Sequence, residues 1–373
     1  MLDNYLSGSK SNFAGKQIIH IVIGNEAADI DSIVSSIVYA FFKETINPKK
    51  ESEIFIPVIN IPKDDLRLRN EIIYLFSQTK INIKNLIFLD QIDFKHLAEQ
   101  KKLKLILVDH NKISHKQEFL SDYIEEVIDH HEDEKSYNNI IKTIEKTGST
   151  ATLVGEKIIQ RNSALLDKEI AILLSGAISI DTSNLSQKSG KTTQKDEKIL
   201  NYLISEYEID KNELFEKLSR EKRNISNLSS RDILRKDYKE WIMGREKTGF
   251  SSVNLPLQSW LEKDSGLFEE INKYYVENSL DILFIMIAYT NREFKRELII
   301  LGNDESLLDD IYFYLQKSGG RLSPVDIKTD DKKDVDKKKI RFYSLGETLW
   351  SRKKLQPVLK SFFASRNTPH CLA

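Results

Sequence analysis

Residues 17–45 read QIIHIVI, GNEAADIDS and IVSSIVYAFFKET, and this succession of strand, polar loop and helix decides the fold class. Gln17–Ile23 is a β-branched run that predicts a strand, whereas Ile33–Thr45 is apolar on nearly all sides, which indicates a helix packed deep against a sheet. The alternation continues, with strands predicted at Ile54–Ile59, Leu86–Leu89, Leu103–Val108 and Glu126–Ile128 and helices at Asp64–Ser77, Ser149–Gln160 and Lys168–Ile180. It predicts an α/β domain over residues 1–185, with a mostly parallel sheet flanked by helices.

The composition changes after this domain. Residues 186–198 turn to Ser, Gln, Lys, Thr and Gly, which is typical of a linker, and helices are predicted at Lys195–Glu208 and Lys211–Asn224. We therefore assign residues 186–228 to a linker and connecting helices. Residues 229–373 are predicted to form a smaller mixed α/β domain, with strands at Leu280–Ala288, Glu297–Leu301 and Ile340–Ser344.

Composition narrows the class of protein. The 373 residues are sufficient for two domains, and no run approaches the roughly 18 consecutive apolar residues that a membrane span needs. The first residues lack the pattern of a signal peptide, and the single cysteine, Cys371, has no intramolecular partner. We expect a cytoplasmic monomer with no membrane or nucleic-acid partner.

Charge is distributed unevenly along the chain. The net charge is −1, but residues 317–366 contain 14 Lys and Arg against 6 Asp and Glu. Within them, the tract Lys328–Lys339 is almost entirely charged and is interpreted as an exposed hairpin loop. A basic segment that faces an acidic metal site would suit a polyanionic substrate, although a solvated basic face is an equal alternative on charge alone.

The loop Gly24–Ser32 contains the first candidate ligands. Asp29 and Asp31 are two residues apart at the carboxyl end of a predicted strand, where ligands of open α/β sheets bind. Both carboxylates can converge on one point, and a divalent cation would remove their mutual repulsion. The alternative is that Asp31 or Ser32 only caps the following helix.

Three more acidic motifs follow apolar segments. Asp109–Asn111 (DHN) and Asp129–His131 (DHH) end two predicted strands, and Asp181 ends an apolar helix. The combined ligand set is dominated by carboxylate oxygen, which suits Mg²⁺ or Mn²⁺ better than zinc. Two ions about 3.5–4 Å apart that share one Asp would polarise a phosphoryl group and generate hydroxide. The pattern predicts metal-assisted phosphoryl hydrolysis, without specifying the substrate.

The order of these motifs resembles the DHH phosphoesterase superfamily. Ile233–Trp241 (ILRKDYKEW) and Ser351–Pro357 (SRKKLQP) look like the first and last motifs of the DHHA2 domain, so the resemblance covers nearly the whole chain. This pairing belongs to the branch that contains family II inorganic pyrophosphatases, cytosolic exopolyphosphatases and prune-like proteins. Family II pyrophosphatases typically have His at the position of Asn25, four residues before Asp29. The motif sequences of this chain are instead similar to those of fungal-type cytosolic exopolyphosphatases.

The resemblance implies an exopolyphosphatase that uses two divalent ions, Mg²⁺ or Mn²⁺, to release terminal phosphate from inorganic polyphosphate. A family II-type pyrophosphatase and a prune-like short-chain polyphosphatase or phosphodiesterase are the nearest alternatives. A non-catalytic phosphate-binding scaffold and a nuclease-type DHH enzyme are more distant ones. Retention of the whole acidic set argues against the scaffold, and nuclease-type members usually carry a DHHA1 domain instead.

The resemblance also implies roles for individual residues. Asp29 would bind the first ion and Asp31 the second, Asp109 would bridge both, and His130 and Asp181 would complete the second site.

Further residues complete the expected catalytic and substrate-binding set. Asp129 would orient the histidines, His131 would contact the phosphate or the leaving oxygen, and Asn25 would contact metal, water or phosphate. The family's cationic phosphate ligands match Lys239, Arg352 and Lys353, from the other side of a cleft between the domains. Residues 148–150 could approach a phosphate, but we favour a helix cap.

Overall fold

The protein is described by a computed structural model that covers residues 1–325, 327, 339–346 and 350–366. The chain forms two compact units, residues 1–224 and residues 225–373. In the first unit the helices are α1 Leu2–Asn12, α2 Ile30–Thr45, α3 Asn70–Ser77, α4 Phe94–Glu99, α5 Thr150–Asn162, α6 Lys168–Asp181, α7 Gln194–Glu206 and α8 Lys211–Arg223. Its strands are β1 Ile18–Ile23, β2 Glu53–Val58, β3 Leu103–Val108, β4 Ile124–Asp129 and β5 Ile141–Ile144.

The five strands form one parallel sheet in the order β2-β1-β3-β4-β5. Alternate residues of β3 face different cores: Ile106 and Val108 pack with helices α2, α5 and α6, whereas Leu105 and Leu107 pack with Phe94 on the other side. Burial of both faces explains why these strands read as continuous apolar runs. The predicted parallel α/β fold of this unit is confirmed.

The strand order places a crevice at one position of the sheet. The chain moves from β1 to one edge through β2 and then returns to build β3, β4 and β5 on the other side. In open α/β sheets, ligands bind outside the carboxyl ends of the strands where the order reverses. The loops after β1 and β3 therefore flank the expected binding position.

Helix α2 begins three residues earlier than predicted. Asp29 is its N-cap, with an extended backbone, and its Oδ1 accepts a hydrogen bond of 3.1 Å from the Ser32 amide. The alternative prediction, that Asp31 or Ser32 caps this helix, was wrong, because Asp29 is the capping residue. Asp31 lies inside the first turn and has other partners.

Two predictions around the second strand were wrong. Leu86–Leu89 is not a strand: only Phe88 forms a bridge, with Ile59, because β2 has ended before Pro62 and the chain turns at Leu89–Gln91. The helix predicted at Asp64–Ser77 is a 3-10 helix, Lys63–Leu68, followed by α3. Arg69 separates the two, and its guanidinium donates to the carbonyls of the loop after β1.

Helices α7 and α8, predicted as connecting elements, pack against the first unit. Ile199, Leu200 and Leu203 of α7 and Leu214 and Leu218 of α8 are buried in the same core as α6. Their apolar faces are thus satisfied within residues 1–224.

The second unit has a mixed sheet. Its helices are α9 Ser230–Lys236, α10 Leu257–Lys263, α11 Leu267–Glu277, α12 Glu305–Lys317 and α13 Arg352–Arg366. Its strands are β6 Tyr238–Met243, β7 Glu246–Val253, β8 Ile282–Asn291, β9 Glu293–Gly302, β10 Ser323–Pro324 and β11 Ile340–Ser344. They pair in the order β10-β11-β9-β8-β7-β6, and only β7 and β8 run parallel. The predicted mixed α/β class is confirmed for this unit.

The core of this unit lies between the sheet and two helices. Phe284 and Ile300 of the sheet pack against Leu308 of α12 and Leu359 of α13. Except for Lys339, the predicted hairpin loop Lys328–Lys339 lies outside the described residues, as does Cys371. Among the residues that the structure does describe, no helix is both long enough and apolar enough to cross a membrane.

Candidate metal centre

The loops after β1, β3 and β4 meet at the carboxyl edge of the first unit's sheet. Asn25 follows β1 and donates from Nδ2 to Asp109 Oδ2, which follows β3, over 2.7 Å. His130 follows β4, and its Nε2 lies 3.4 Å from Asp109 Oδ1 and 4.0 Å from Asp31 Oδ2. Three motifs that are far apart in sequence thus form one cluster.

Asp109 lies at the centre of the cluster and is only 3% exposed. Its Oδ2 accepts from Ser32 Oγ at 2.6 Å as well as from Asn25, and its Oδ1 accepts from Thr150 Oγ1 at 3.4 Å. Ser32 can approach because residue 24 is glycine: a Cβ there would lie 2.7 Å from the Ser32 Cβ.

Asp31 binds the beginning of helix α5. Its Oδ2 accepts from the Thr150 amide at 2.6 Å, and its Oδ1 accepts from the Ala151 amide at 2.8 Å and from Ser35 Oγ at 3.1 Å. The free amides at a helix N-terminus stabilise a negative charge. These amides bind the Asp31 carboxylate, and Ser149 makes no side-chain capping bond. The cap predicted for residues 148–150 is therefore supplied by Asp31.

The two adjacent histidines are oriented differently. His130 donates from Nδ1 to the Thr147 carbonyl at 2.9 Å, which leaves Nε2 facing the carboxylates. His131 donates from Nδ1 to Asp129 Oδ1 at 2.8 Å, and its side chain is 58% exposed. Asp129 is itself fully buried and also accepts from Asn111 Nδ2 at 2.5 Å. Asp129 thus holds His131 at the edge of the cluster, where solvent reaches it.

Asp181 ends α6 close enough to Asp31, Asp29 and Asp109 for their charges to act on it. Its Oδ2 is buried and has no hydrogen-bond partner among the described residues. A buried carboxylate oxygen without a donor is costly, so this atom is an expected ligand position.

Burial and mutual repulsion disfavour the ionised forms of these carboxylates. Burial and then the charge of Asp31 raise the pKa of Asp109 to about 7, and burial followed by the neighbouring carboxylates raises the pKa of Asp181 well above its usual range. Burial alone would lower the pKa of His130, but its hydrogen bond to Asp109 and the charge of Asp31 raise it to about 10. In the absence of a cation, these groups therefore favour their protonated forms more strongly than the same groups do in water.

A divalent cation fits this donor set. Asp109, Asp129, His130 and His131 each offer an atom within 4.8 Å of the others', and two of them, Asp109 and His130, belong to the predicted ligand set. His130 Nε2 is positioned as a ligand by the Thr147 carbonyl, which is the usual way that proteins orient a metal-binding imidazole. Positive charge at this position would replace the protons that the carboxylates otherwise retain.

Some polar contacts of the cluster were not predicted from the sequence. Ser32 and Thr147 are hydrogen-bond partners of Asp109 and His130, and Asn111 is a partner of Asp129. Asn111 belongs to a predicted motif and could have been assigned. Ser32 and Thr147 are common polar residues, which give no sequence signal for these contacts. His110, also in a motif, is turned away: Nδ1 donates to its own strand at Val108.

The predicted cations of the second unit lie near one another. Arg352 begins α13 and forms an ion pair of 2.7 Å with Asp237, whose carbonyl it also contacts at 2.9 Å. Asp237 precedes β6, on which Lys239 is exposed, and Lys353 is exposed beside Arg352. The ion pair thus joins the two DHHA2-like motifs of the second unit, and Arg352 is already partly engaged.

Comparisons with known proteins show which families the two units are similar to. The DHH family, N-terminal domain, matches residues 20–178, and the DHHA2 domain matches residues 216–362. Exopolyphosphatase PRUNE1 of Rattus norvegicus is 32% identical over 380 residues, covering 99% of this chain and 81% of the rat protein. The "Putative exopolyphosphatase" of Schizosaccharomyces pombe is 32% identical over 358 residues, covering 91% and 89%. The manganese-dependent inorganic pyrophosphatase of Methanothrix thermoacetophila is 26% identical over 285 residues, covering 75% and 84%.

Proposed function

The chain belongs to the DHH family whose members carry a DHHA2 domain, and from that premise we propose that it is a metal-dependent exopolyphosphatase. Its reaction is the hydrolysis of a phosphoanhydride bond, with release of terminal phosphate from inorganic polyphosphate. Relatives named exopolyphosphatase or putative exopolyphosphatase match 99% and 91% of the chain at 32% identity, and the pyrophosphatase relative is more distant at 26%.

One observation carries the proposal. Asp31 and Asp109 are buried at the reversal point of the sheet, with His130 Nε2 beside them, and Asp181 has a buried carboxylate oxygen without a hydrogen-bond partner among the described residues. Unpaired buried carboxylates cost free energy unless a cation compensates them. Divalent metal dependence follows from this donor chemistry.

We propose that the cluster binds two ions, Mg²⁺ or Mn²⁺. Asp29 would hold one ion and Asp31, His130 and Asp181 the other, with Asp109 shared between them. When bound, such ions supply Lewis-acid polarisation of the phosphoryl group and a water of lowered pKa.

The surrounding residues orient the substrate and the ligands. His131, held by Asp129 and exposed to solvent, is suited to donate a hydrogen bond to a phosphate oxygen. Asn25 donates a hydrogen bond from its side-chain amide nitrogen to Asp109, while its Oδ1 accepts one from the Ala27 amide at 2.8 Å. In this orientation Asn25 positions the shared carboxylate and contributes no ligand atom of its own.

The second unit would contribute positive charge to the polyanion. Lys239, Arg352 and Lys353 are the proposed phosphate-binding cations, because guanidinium and ammonium groups stabilise the charge that phosphoryl oxygens carry. The cytoplasmic location and the monomeric state stay predictions.

A parallel phosphate-release assay tests the proposed function. Long-chain polyphosphate, tripolyphosphate and pyrophosphate are offered separately with Mg²⁺, and an Asp109→Asn preparation purified in the same way serves as the control for contaminating phosphatases. We expect release from long-chain polyphosphate and tripolyphosphate. Activity on pyrophosphate alone would show instead that the chain is a pyrophosphatase.

A further inference from the structure

A single peptide group links the candidate ligand His130 to a second buried carboxylate. The carbonyl of Thr147 accepts the Nδ1 proton of His130 at 2.9 Å. The amide of Gly148 belongs to the same peptide group and donates to Asp196 Oδ2 at 2.8 Å. His130, one peptide unit and Asp196 therefore form a continuous hydrogen-bonded chain.

Asp196 is fully buried in helix α7 and is not in the predicted ligand set. Its Oδ2 also accepts from the Thr193 amide at 2.8 Å and from Thr193 Oγ1 at 2.7 Å, and its Oδ1 accepts from Thr152 Oγ1 at 2.6 Å. Four donors converge on it, and no Lys or Arg side chain pairs with it within the described part of the chain. This is the environment of a carboxylate anion held by hydrogen bonds alone.

Helix capping accounts for only part of this arrangement. Asp196 and Thr193 form a capping box at the start of α7, and that motif requires the Thr193 contacts alone. The bonds from Gly148 and Thr152 come from a different segment, at the start of α5. These two hydrogen bonds connect Asp196 to the segment that orients both His130 and Asp31.

The Gly148 peptide is closely enclosed. A Cβ at residue 148 would lie 2.5 Å from Thr182 Cγ2 and 3.0 Å from Asp196 Oδ2. Only glycine permits this approach without displacing its neighbours. The peptide group is thus held in one orientation by its surroundings.

Such a chain has a chemical consequence. A carboxylate that accepts from a peptide N–H polarises the amide and increases the negative charge on its carbonyl oxygen, since linked hydrogen bonds strengthen one another. A stronger acceptor at Nδ1 makes the imidazole more electron-rich at Nε2, the atom that faces the metal cluster. The effect resembles a carboxylate–histidine pair in which a peptide group lies between the two partners.

We propose that Asp196 is a positioning residue that acts through the Thr147–Gly148 peptide to orient His130 and strengthen it as a metal ligand. This inference rests on the proposed function, because it requires His130 to bind a metal ion.

The test is the Mn²⁺ dissociation constant of the metal-free protein, measured by titration calorimetry at fixed pH. Asp196→Asn has the same shape and keeps an oxygen for the Gly148 amide but removes the charge, so we expect affinity to fall roughly 10-fold. Thr152→Val is the matched control: it removes another buried hydrogen bond to Asp196 and leaves the peptide link intact. We expect it to change the affinity by less than about twofold.

A double-mutant cycle with His130→Asn separates the peptide link from general damage. If Asp196 acts through His130, the double variant should bind Mn²⁺ less than about twofold more weakly than His130→Asn alone does. Circular dichroism reports whether each variant folds. If Asp196→Asn does not fold, Asp196→Glu replaces it, because the longer side chain moves the carboxylate relative to Gly148.

The outcomes distinguish the two proposals. Wild-type Mn²⁺ affinity in Asp196→Asn, or an undiminished effect in the His130→Asn background, would overturn the role of Asp196 and leave the metal site intact. Absence of Mn²⁺ binding by the wild-type protein would overturn the proposed function and this inference with it.

Discussion

Asp109 has a left-handed backbone conformation, with φ of 62°, directly after the last residue of β3. Aspartate and asparagine tolerate this region better than most residues other than glycine. The Asp109 amide still donates to Ile128 of β4 at 2.9 Å, so the residue is held by the sheet while its carboxylate belongs to the cluster. The position of the proposed shared ligand is therefore determined by the end of the strand.

Replacement of this carboxylate tests its role as the shared ligand. Asp109→Asn keeps the backbone preference and the size of the side chain, and we expect kcat to fall by more than roughly 100-fold, because even outer-shell changes cost about 10–100-fold. Steady-state phosphate release from polyphosphate measures the effect, with Asp133→Asn, at a partly exposed carboxylate that pairs with Lys142, as control. Near wild-type turnover of Asp109→Asn would refute the shared-ligand role.

Asn25 is the residue at which the chain departs from the family II pyrophosphatase pattern. An amide that donates to Asp109 leaves the first ion with oxygen ligands, which suit Mg²⁺. We predict that Mg²⁺ supports the wild-type enzyme well and that Asn25→His shifts the ratio of activity with Mn²⁺ to activity with Mg²⁺ upward by roughly tenfold.

The control for this prediction is Asn25→Ala, which removes the hydrogen bond to Asp109 without adding an imidazole. Equal metal ratios in the His and Ala variants would mean that the amide bond, and not the ligand type, determines the preference. A strong Mn²⁺ preference in the wild type that Asn25→His does not change would contradict the prediction.

At the scale of elements, helix termini position both charged regions. The start of α5 binds Asp31 through two backbone amides, and the start of α13 presents Arg352 and the exposed Lys353. Arg352 reaches back to Asp237, at the end of α9, and to Ser252 Oγ at 3.2 Å on β7. One guanidinium therefore connects three elements of the second unit.

Arg352→Ala tests the proposed phosphate contact. Hydrogen bonds to charged groups contribute about 1.5–3 kcal/mol, so we expect KM for polyphosphate to rise at least tenfold with a much smaller change in kcat. Lys354→Ala, an exposed cation on the same helix, is the control for loss of general positive charge.

The ion pair with Asp237 requires a second comparison. Asp237→Asn weakens the pair but leaves the guanidinium in place, and thermal unfolding reports the structural part of the effect. If Asp237→Asn raises KM as much as Arg352→Ala does, Arg352 has a structural role only.

At the scale of the whole molecule, metal binding, proton release and stability are coupled. With a pKa of about 7 for Asp109 and about 10 for His130, both groups carry protons on the acid side of neutrality in the metal-free protein. A cation must displace those protons, so affinity should rise with pH between about 6 and 8, with about one to two protons released per molecule at pH 7.

Calorimetric titration with Mn²⁺ in buffers of different ionisation enthalpy counts these protons. His115→Gln, at a side chain that is 96% exposed, is the control and should release the same number as the wild type. Saturating metal should also raise the melting temperature, by mass action on the folded state. Binding that is independent of pH would contradict the proton-sharing cluster.

Much of the fold and of the site was predictable from local sequence. The apolar strands β1, β3 and β4 were predicted correctly, because hydrophobic periodicity is a local property of the sequence. Leu86–Leu89 was misread because an apolar run does not reveal whether a neighbouring strand is still available for pairing. The boundaries around Arg69 were missed for a similar reason: its hydrogen-bond partners lie 41 and 42 residues away.

The order of motifs along the chain was sufficient by itself to identify the family and the type of fold, and to predict a carboxylate-rich ligand set. Tertiary structure decided which atoms meet: that Asp31 binds the amides of α5, that Asn25 donates to Asp109, and that Asp196 reaches His130 through one peptide group. The physical reason is the range of the interactions. Hydrophobic periodicity and turn chemistry operate over a few residues, whereas these hydrogen bonds join residues that are 17 to 120 positions apart.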